Sequence, residues 1–172
     1  MKKVKLVSTL LVIVTGVFSF SFSVFDNKPI QEPVKFYVDY RNSIEKFDTL
    51  GNYLVSKKEI SSKMFKQEKI TGTDTLNGVL ISFPGLFSSK EILSWIQENK
   101  MRGATVKESQ SFGIQNEIAF GSGVVALGSE IMYGGFKSVP VTINDKRGIT
   151  IELYPSEGKW NGTFYKFLAV RI

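Results

Sequence analysis

The segment Phe164-Tyr-Lys-Phe-Leu-Ala-Val-Arg-Ile172 decides the fold. Its even positions place Phe164, Leu168, Val170 and Ile172 around Lys166, and its odd positions place Tyr165, Phe167 and Ala169 before Arg171. Both faces are mostly apolar, which suits a central strand covered on two sides rather than an edge strand with one wet face. A closing strand of this kind is expected to lie inside the body and tie the domain together. Just before it, Ser156-Glu-Gly-Lys-Trp-Asn-Gly-Thr163 is a short polar loop with one large aromatic at its centre.

Upstream of that loop, Val139, Val141 and Ile143 alternate with Pro140 and Thr142. Across the turn Asn144-Asp-Lys-Arg-Gly148, Ile149, Ile151 and Leu153 alternate with Thr150, Glu152 and Tyr154. The pattern predicts a hairpin with one dry face and one wet face, with Pro140, Thr142, Thr150 and Glu152 outward. Val124 to Leu127 reads as a short apolar strand. Gly78-Val-Leu-Ile-Ser-Phe83 reads as a buried strand closed by Pro84-Gly85.

Between them, Ser88 with Glu91 and Thr105 with Glu108 both have capping-box spacing. Two helices are therefore expected on either side of the corner Met101-Arg-Gly-Ala-Thr105, the first with an apolar stripe of Ile92, Leu93, Trp95 and Ile96, the second ending at Gly113. Earlier still, Val34, Phe36, Val38 and Tyr40 form a strand pattern. Ser43 can cap a short helix ended by Gly51, and Ser56 with Glu59 a second helix to about Phe65. Gln67 to Asn77 reads as loop. The expected organisation is a linker at 26–33, a strand–helix–helix extension at 34–77, and a main α+β domain at 78–172.

At the start, Lys2, Lys3 and Lys5 precede a run from Leu6 to Phe25 without a charged residue. Residues 1–25 thus read as a signal peptide or a transmembrane anchor, since the run matches the ~20 residues of a bilayer span. Either reading puts the rest of the chain outside the cytoplasm, secreted or anchored, with contact to a membrane only through this segment. Removing the three leader lysines takes the formal charge from +6 to +3, with no block of like charges, so nucleic acid is not an expected partner. The chain has neither Cys nor His. That excludes disulfides, a thiolate nucleophile, a His general base and any zinc or haem site built on those residues. No cofactor is expected.

The run from Ser88 through Arg102-Gly-Ala-Thr-Val-Lys-Glu108 resembles the two-helix half of C-type-lectin-like folds. It is most similar to that of formylglycine-generating-enzyme-like domains, in which an Arg-x-x-Thr-x-x-Glu pattern opens the second helix. Phe167-Leu-Ala-Val-Arg171 resembles the closing strand of the same fold. The resemblance implies that first and last strands pair, placing Gly78–Phe83 beside Lys166–Ile172. Tyr37-Val-Asp-Tyr40, Gly51-Asn-Tyr53, Arg102-Gly-Ala-Thr105, Val125-Ala-Leu-Gly-Ser129, Val139-Pro140, Trp160 and Tyr165–Arg171 together resemble small proteins of candidate-phyla, Parcubacteria-like bacteria. Such relatives look like targets of diversity-generating retroelements, which implies surface variation near the C-terminus.

The candidate ligand-binding residues are Thr150, Glu152, Tyr154, Ser156, Glu157, Lys159, Trp160, Asn161 and Thr163, which mix one aromatic anchor with adaptable polar groups. Trp160 has two readings, as that anchor or as a side chain packed over the domain end. Trp160-Asn-Gly162 is similar to the Trp-Asn-Asp of calcium-dependent lectins, but glycine replaces the ligating acid, and calcium needs several carboxylate oxygens. No metal ligand is assigned. Gly121-Ser-Gly123-Val-Val-Ala126 matches a dinucleotide fingerprint in letters alone and reads as a turn into a strand. Ser43-Ile-Glu-Lys46 has serine–lysine hydrolase spacing without the accompanying Lys-Thr-Gly, so Ser43 reads as a cap. No catalytic residue is assigned. The expectation is a non-catalytic module that contacts a protein or glycan, with a structural or assembly role in the cell envelope, acting through the extension, as the alternative.

Overall fold

A computed structural model describes residues 28–46, 60–65, 71–146 and 148–172. The closing segment forms β10 (Tyr165–Arg171) at the centre of the main sheet. On one side it pairs antiparallel with β2 (Thr73–Ser82), Phe167 opposite Ile81 and Val170 opposite Gly78. On the other it runs parallel to β5 (Gly123–Val125) and antiparallel to β4 (Met101–Gly103). The expected pairing of Gly78–Phe83 with the last strand is therefore present.

Its two faces serve two cores, as the double apolar alternation demands. Phe167 and Ala169 pack with Ile81, Phe83, Trp160, and Ile92 and Ile96 of helix α1 (Ser89–Glu98). Leu168 and Val170 pack with Phe36, Tyr40, Leu80, and Phe112 of helix α2 (Val106–Gln115). The sheet thus lies between the two helices, an α+β layering with mostly antiparallel strands. Both predicted capping boxes are closed in both directions. Helix α2 runs past the expected stop at Gly113, which is buried inside it, and ends with Asn116 as its C-cap.

The expected extension is not a separate unit. β1 (Ile30–Asp39) pairs with β2 along its whole length, from Ile30 opposite Ser82 to Asp39 opposite Thr73. The expected linker therefore ends inside β1, and the boundary at 77/78 falls inside β2, part of which was expected to be loop. Polar runs such as Thr73-Asp-Thr75 hide a strand because only the neighbouring chain makes pairing favourable. After Ser43, Ile44–Lys46 form a 3-10 turn. The rest of that expected helix, the Ser56–Glu59 capping box and the leader lie outside the described residues. Among the described residues no helix is long and apolar enough to cross a membrane.

β1 forms the outer edge of the sheet. Its open side is partly closed by a side chain: the Tyr37 N–H donates to Gln115 Oε1 (2.9 Å) and the Tyr37 carbonyl accepts from Gln115 Nε2 (2.6 Å). Pro33 lies on the same side of the strand and has no N–H to offer. An amide standing in for a strand and a proline are both devices that blunt edge-to-edge pairing.

The remaining strands are β6 (Ile131–Tyr133), β7 (Phe136–Asp145) and β8 (Gly148–Pro155), with β3 (Leu86–Ser88) and β9 (Lys159–Asn161) forming a small second sheet. The β7–β8 hairpin corrects the expectation of one wet face. Asp145 faces Gly148, and Val139, Val141 and Ile143 stand opposite Tyr154, Glu152 and Thr150. Opposed residues share a face. The two apolar series therefore lie on opposite faces, and both are covered. Pro140, Thr142 and Thr150 are buried, with Thr142 Oγ1 2.9 Å from Ser109 Oγ of α2 and Ile151 packed with Ile44, Ile60, Phe65 and Val106. A one-residue change in turn length inverts which side chains meet the core.

Thr150 Oγ1 is fully buried and finds no hydrogen-bond partner among the described residues. Thr150→Val keeps the branched shape and removes the unmatched hydroxyl. It is expected to raise stability by about 1 kcal/mol, read as a higher urea midpoint at unchanged m-value.

The start of α2 holds a buried ion pair. Glu108 has no solvent exposure. Its oxygens accept from Arg102 Nη1 (2.8 Å) and Nη2 (2.6 Å), from the Thr105 N–H (2.8 Å) and from the Tyr40 hydroxyl. Burial pushes the carboxyl pKa up, but these donors outweigh it and hold it below the ordinary value. Burial, and then Glu108, push the Tyr40 hydroxyl well above its ordinary range. One residue thus caps a helix and joins β1, the corner and α2.

Candidate ligand-binding face

Trp160 is the strut of the polar loop. It lies on β9 opposite Phe87 of β3, and it is 6% exposed. Its ring meets Tyr165 and Phe167 edge to face, with centroids 5.1 and 6.0 Å away. Its Nε1–H donates to Ser89 Oγ (2.8 Å), and the Ser89 hydroxyl donates to the Ser156 carbonyl (2.8 Å). A buried indole needs such a partner. This chain of bonds fastens the start and the middle of the loop to the first turn of α1, which the Ser88–Glu91 box holds in place. Of the two readings of Trp160, the structure shows the packed one.

The nine sequence candidates separate by depth. Thr150, Ser156 and Trp160 are buried, and of the three Ser156 lines a groove wall. Glu152 and Tyr154 are half-buried, Tyr154 against Tyr165 with centroids 6.1 Å apart, and burial raises the Tyr154 pKa. Glu157, Lys159 and Thr163 are exposed. Asn161 is half-exposed, and its Oδ1 accepts from the Thr163 N–H (3.0 Å). Glu157 and Lys159 stand at the margins of two open grooves along α1. The first, about 590 Å³, lies between α1 (Lys90, Leu93, Ser94, Gln97) and Glu130, Lys137 and Ser156–Gly158. The second, about 670 Å³, lies between Ser88, Lys90, Glu91, Ser94, Trp95 and Glu98 and the Lys159 side chain.

At the far wall of the first groove, Glu130 pairs with Lys137 (3.0 Å) and accepts from Ser156 Oγ (2.8 Å). Burial raises the Glu130 pKa, and these two donors reverse it to a net lowering. Immediately beyond stands a feature that sequence reading missed. Gly134 and Gly135, at φ 59° and 86°, make the two-residue turn joining β6 to β7. The hairpin holds Met132 and Phe136 at 66% and 61% exposure, with Tyr133 beside them. Met132 faces Lys137 across the ladder and so shares the groove side. The Gly-Gly dipeptide between short apolar runs was the available signal, because a type I′ turn requires positive φ at both central residues.

The face offers amine, carboxylate, amide and hydroxyl groups beside exposed apolar side chains. Among the described residues no group of three acids could hold a metal ion. A Cβ at Gly162 would fall on the Phe83 backbone, 2.7 Å from its carbonyl carbon and closer still to the oxygen. The acid that calcium-dependent lectins carry in this place has no room here. Gly123–Val125 is a strand with a further loop after it, so Gly121–Ala126 has no helix N-terminus to receive a dinucleotide. No protein-family model, curated protein or solved structure matches the chain.

Proposed function

We propose that this protein is an extracytoplasmic, non-catalytic binding module of C-type-lectin-like type that contacts a protein or glycan. The contact face consists of Glu157 and Lys159, the α1 grooves, and the Met132–Phe136 hairpin. The observation that carries this reading is the loop itself. Its Glu157, Lys159 and Thr163 side chains are exposed while its backbone is pinned from beneath by Trp160 and Ser89. A loop already held in one conformation loses little entropy on binding. The neighbouring apolar hairpin supplies anchors of the kind that dominate interface energies. The pairing of β2 with β10 and the helix on each face support the lectin-like assignment. Diversification of the C-terminal region would act on Glu157, Lys159, Asn161 and Thr163, which can change without disturbing the core. The envelope-assembly alternative, through residues 34–66, has less support, because β1 is integral to the sheet and its edge is partly occupied by Gln115.

The combined variant Met132→Ala, Phe136→Ala, Glu157→Ala, Lys159→Ala leaves the buried struts intact. Screened against immobilised glycans and proteins, it is expected to bind at least about 30-fold more weakly than the parent chain, equivalent to one lost anchor of ~2 kcal/mol. Equal binding of parent and variant to every ligand recovered would sink the assignment of this face.

A further inference from the structure

The geometry points to the rim at the far end of the main sheet from the Met132–Phe136 hairpin as a membrane-contacting surface. Four large apolar side chains are exposed there: Ile30 (65%), Leu86 (58%), Phe120 (69%) and Phe164 (54%). The strand ladders bring them to one rim. Ile30 opens β1 opposite Ser82, the last residue of β2. β2 leads directly into Pro84-Gly85-Leu86, and the Gly85 carbonyl accepts from the Gly162 N–H (3.0 Å), at the turn that holds Phe164. The Phe164 carbonyl accepts from the Gly123 N–H (2.9 Å) at the start of β5. The Gly121 N–H, next to Phe120, donates to the Asn144 carbonyl (2.7 Å) near the end of β7.

The occupant is argued from the chain that leads into this rim. The uncharged run Leu6–Phe25 ends five residues before Ile30, with only Asp26-Asn-Lys-Pro29 between. The five steps from Phe25 to Ile30 reach at most about 18 Å when fully extended. If Leu6–Phe25 is retained as a span, the rim lies at the headgroup level of the same bilayer, where Phe and Ile side chains can bury their apolar surface. Charge plays a small part. Lys28 and Lys146 are exposed near the rim together with Glu117, and Lys166 is paired with Glu32 (3.1 Å). Contact is therefore by apolar insertion into the surface and is little affected by salt. β7 runs ten residues, about 30 Å, from this rim to the Met132–Phe136 hairpin, so the hairpin part of the proposed ligand face would point away from the membrane.

This placement rests on the anchored form of the proposed extracytoplasmic reading and is independent of the ligand face. Because the chain has no cysteine, single labels are unambiguous. The full chain carrying Phe120→Cys, Phe164→Cys or Met132→Cys is labelled with an environment-sensitive fluorophore. It is then reconstituted in vesicles of phosphatidylethanolamine and phosphatidylglycerol. Labels at 120 and 164 should emit at shorter wavelength and be quenched several-fold more by lipids brominated in the acyl chain than the label at 132. That difference should survive high salt, while the label at 132 should be quenched by aqueous iodide. Labels at 120 and 164 as open to iodide as the one at 132, on a chain that floats with the vesicles, would overturn the membrane-contacting rim alone. A chain that does not float with the vesicles would overturn the anchored placement and this inference with it, leaving the ligand face to its own test.

Discussion

Arg102→Met is expected to destabilise the protein by about 3–5 kcal/mol, a large part of the 5–15 kcal/mol that holds a typical domain together. The cost comes from Glu108. That carboxylate is wholly buried, and Arg102 is its counter-charge. Without the guanidinium, Thr105 and Tyr40 still donate to it, but a negative charge remains in the core between α2 and β1. The two halves of the pair are unequal. The Arg102 side chain is 37% exposed, so in Glu108→Gln it can turn to water, and that variant should lose only about 2 kcal/mol. The double variant Arg102→Met, Glu108→Gln should be more stable than Arg102→Met alone, because no charge is left buried. Urea unfolding followed by circular dichroism reads all three. A double variant no better than Arg102→Met would show that the penalty is lost packing of the arginine stem rather than the stranded charge.

The same group sets an acid limit. The folded pKa of Glu108 lies below its ordinary value of 4.5. A carboxyl lowered by folding contributes stability that is complete above its unfolded pKa and is lost as pH falls through the folded one. Stability is therefore expected to be level above about pH 5 and to decline in acid. Glu45, held down to about 2 chiefly by its own backbone N–H, acts in the same direction, but its exposure makes its share small. In Arg102→Met the Glu108 pKa rises, so the acid decline should flatten. An unchanged slope in that variant would remove Glu108 as its cause.

Gly162→Ala is the second large effect, expected at about 3 kcal/mol, the upper end of overpacking penalties. The added methyl meets backbone at Phe83, which cannot swing aside as a side chain can. Relief requires β9 to draw away from β3 and breaks the bond from the Gly162 N–H to the Gly85 carbonyl. Trp160, one residue before Asn161 on β9, would loosen with it. The expected signature is a lower urea midpoint with indole fluorescence shifted to the red. Gly162→Asp should be worse, with no gain in calcium affinity. Full stability in Gly162→Ala would mean that β9 does not lie this close to Phe83.

Several features were readable from residues alone because their causes are local or periodic. The double apolar alternation of Phe164–Ile172 demanded a strand with two covered faces, and β10 is one. The Ser88–Glu91 and Thr105–Glu108 spacings announced the helix starts, because a capping box joins residues three apart. The polar stretch Ser156–Thr163 was recognisable as surface, and Glu157, Lys159 and Thr163 are exposed in it, although Lys159–Asn161 forms strand β9 where only loop was expected.

What tertiary structure alone decided depended on partners distant in the chain. Glu108 looks like a cap in sequence, and only folding adds Arg102 and Tyr40 to it. Thr150 looks outward, yet the hairpin register put it opposite Ile143 and sent it inward. Trp160 looks like a binding anchor, yet Ser89, Tyr165 and Phe167 surround it. Alternation along a strand tells which residues share a face, but which face is dry depends on register and on whatever packs across it. That information lies in contacts made across the chain, and it separates the residues that hold this protein together from those free to meet a ligand.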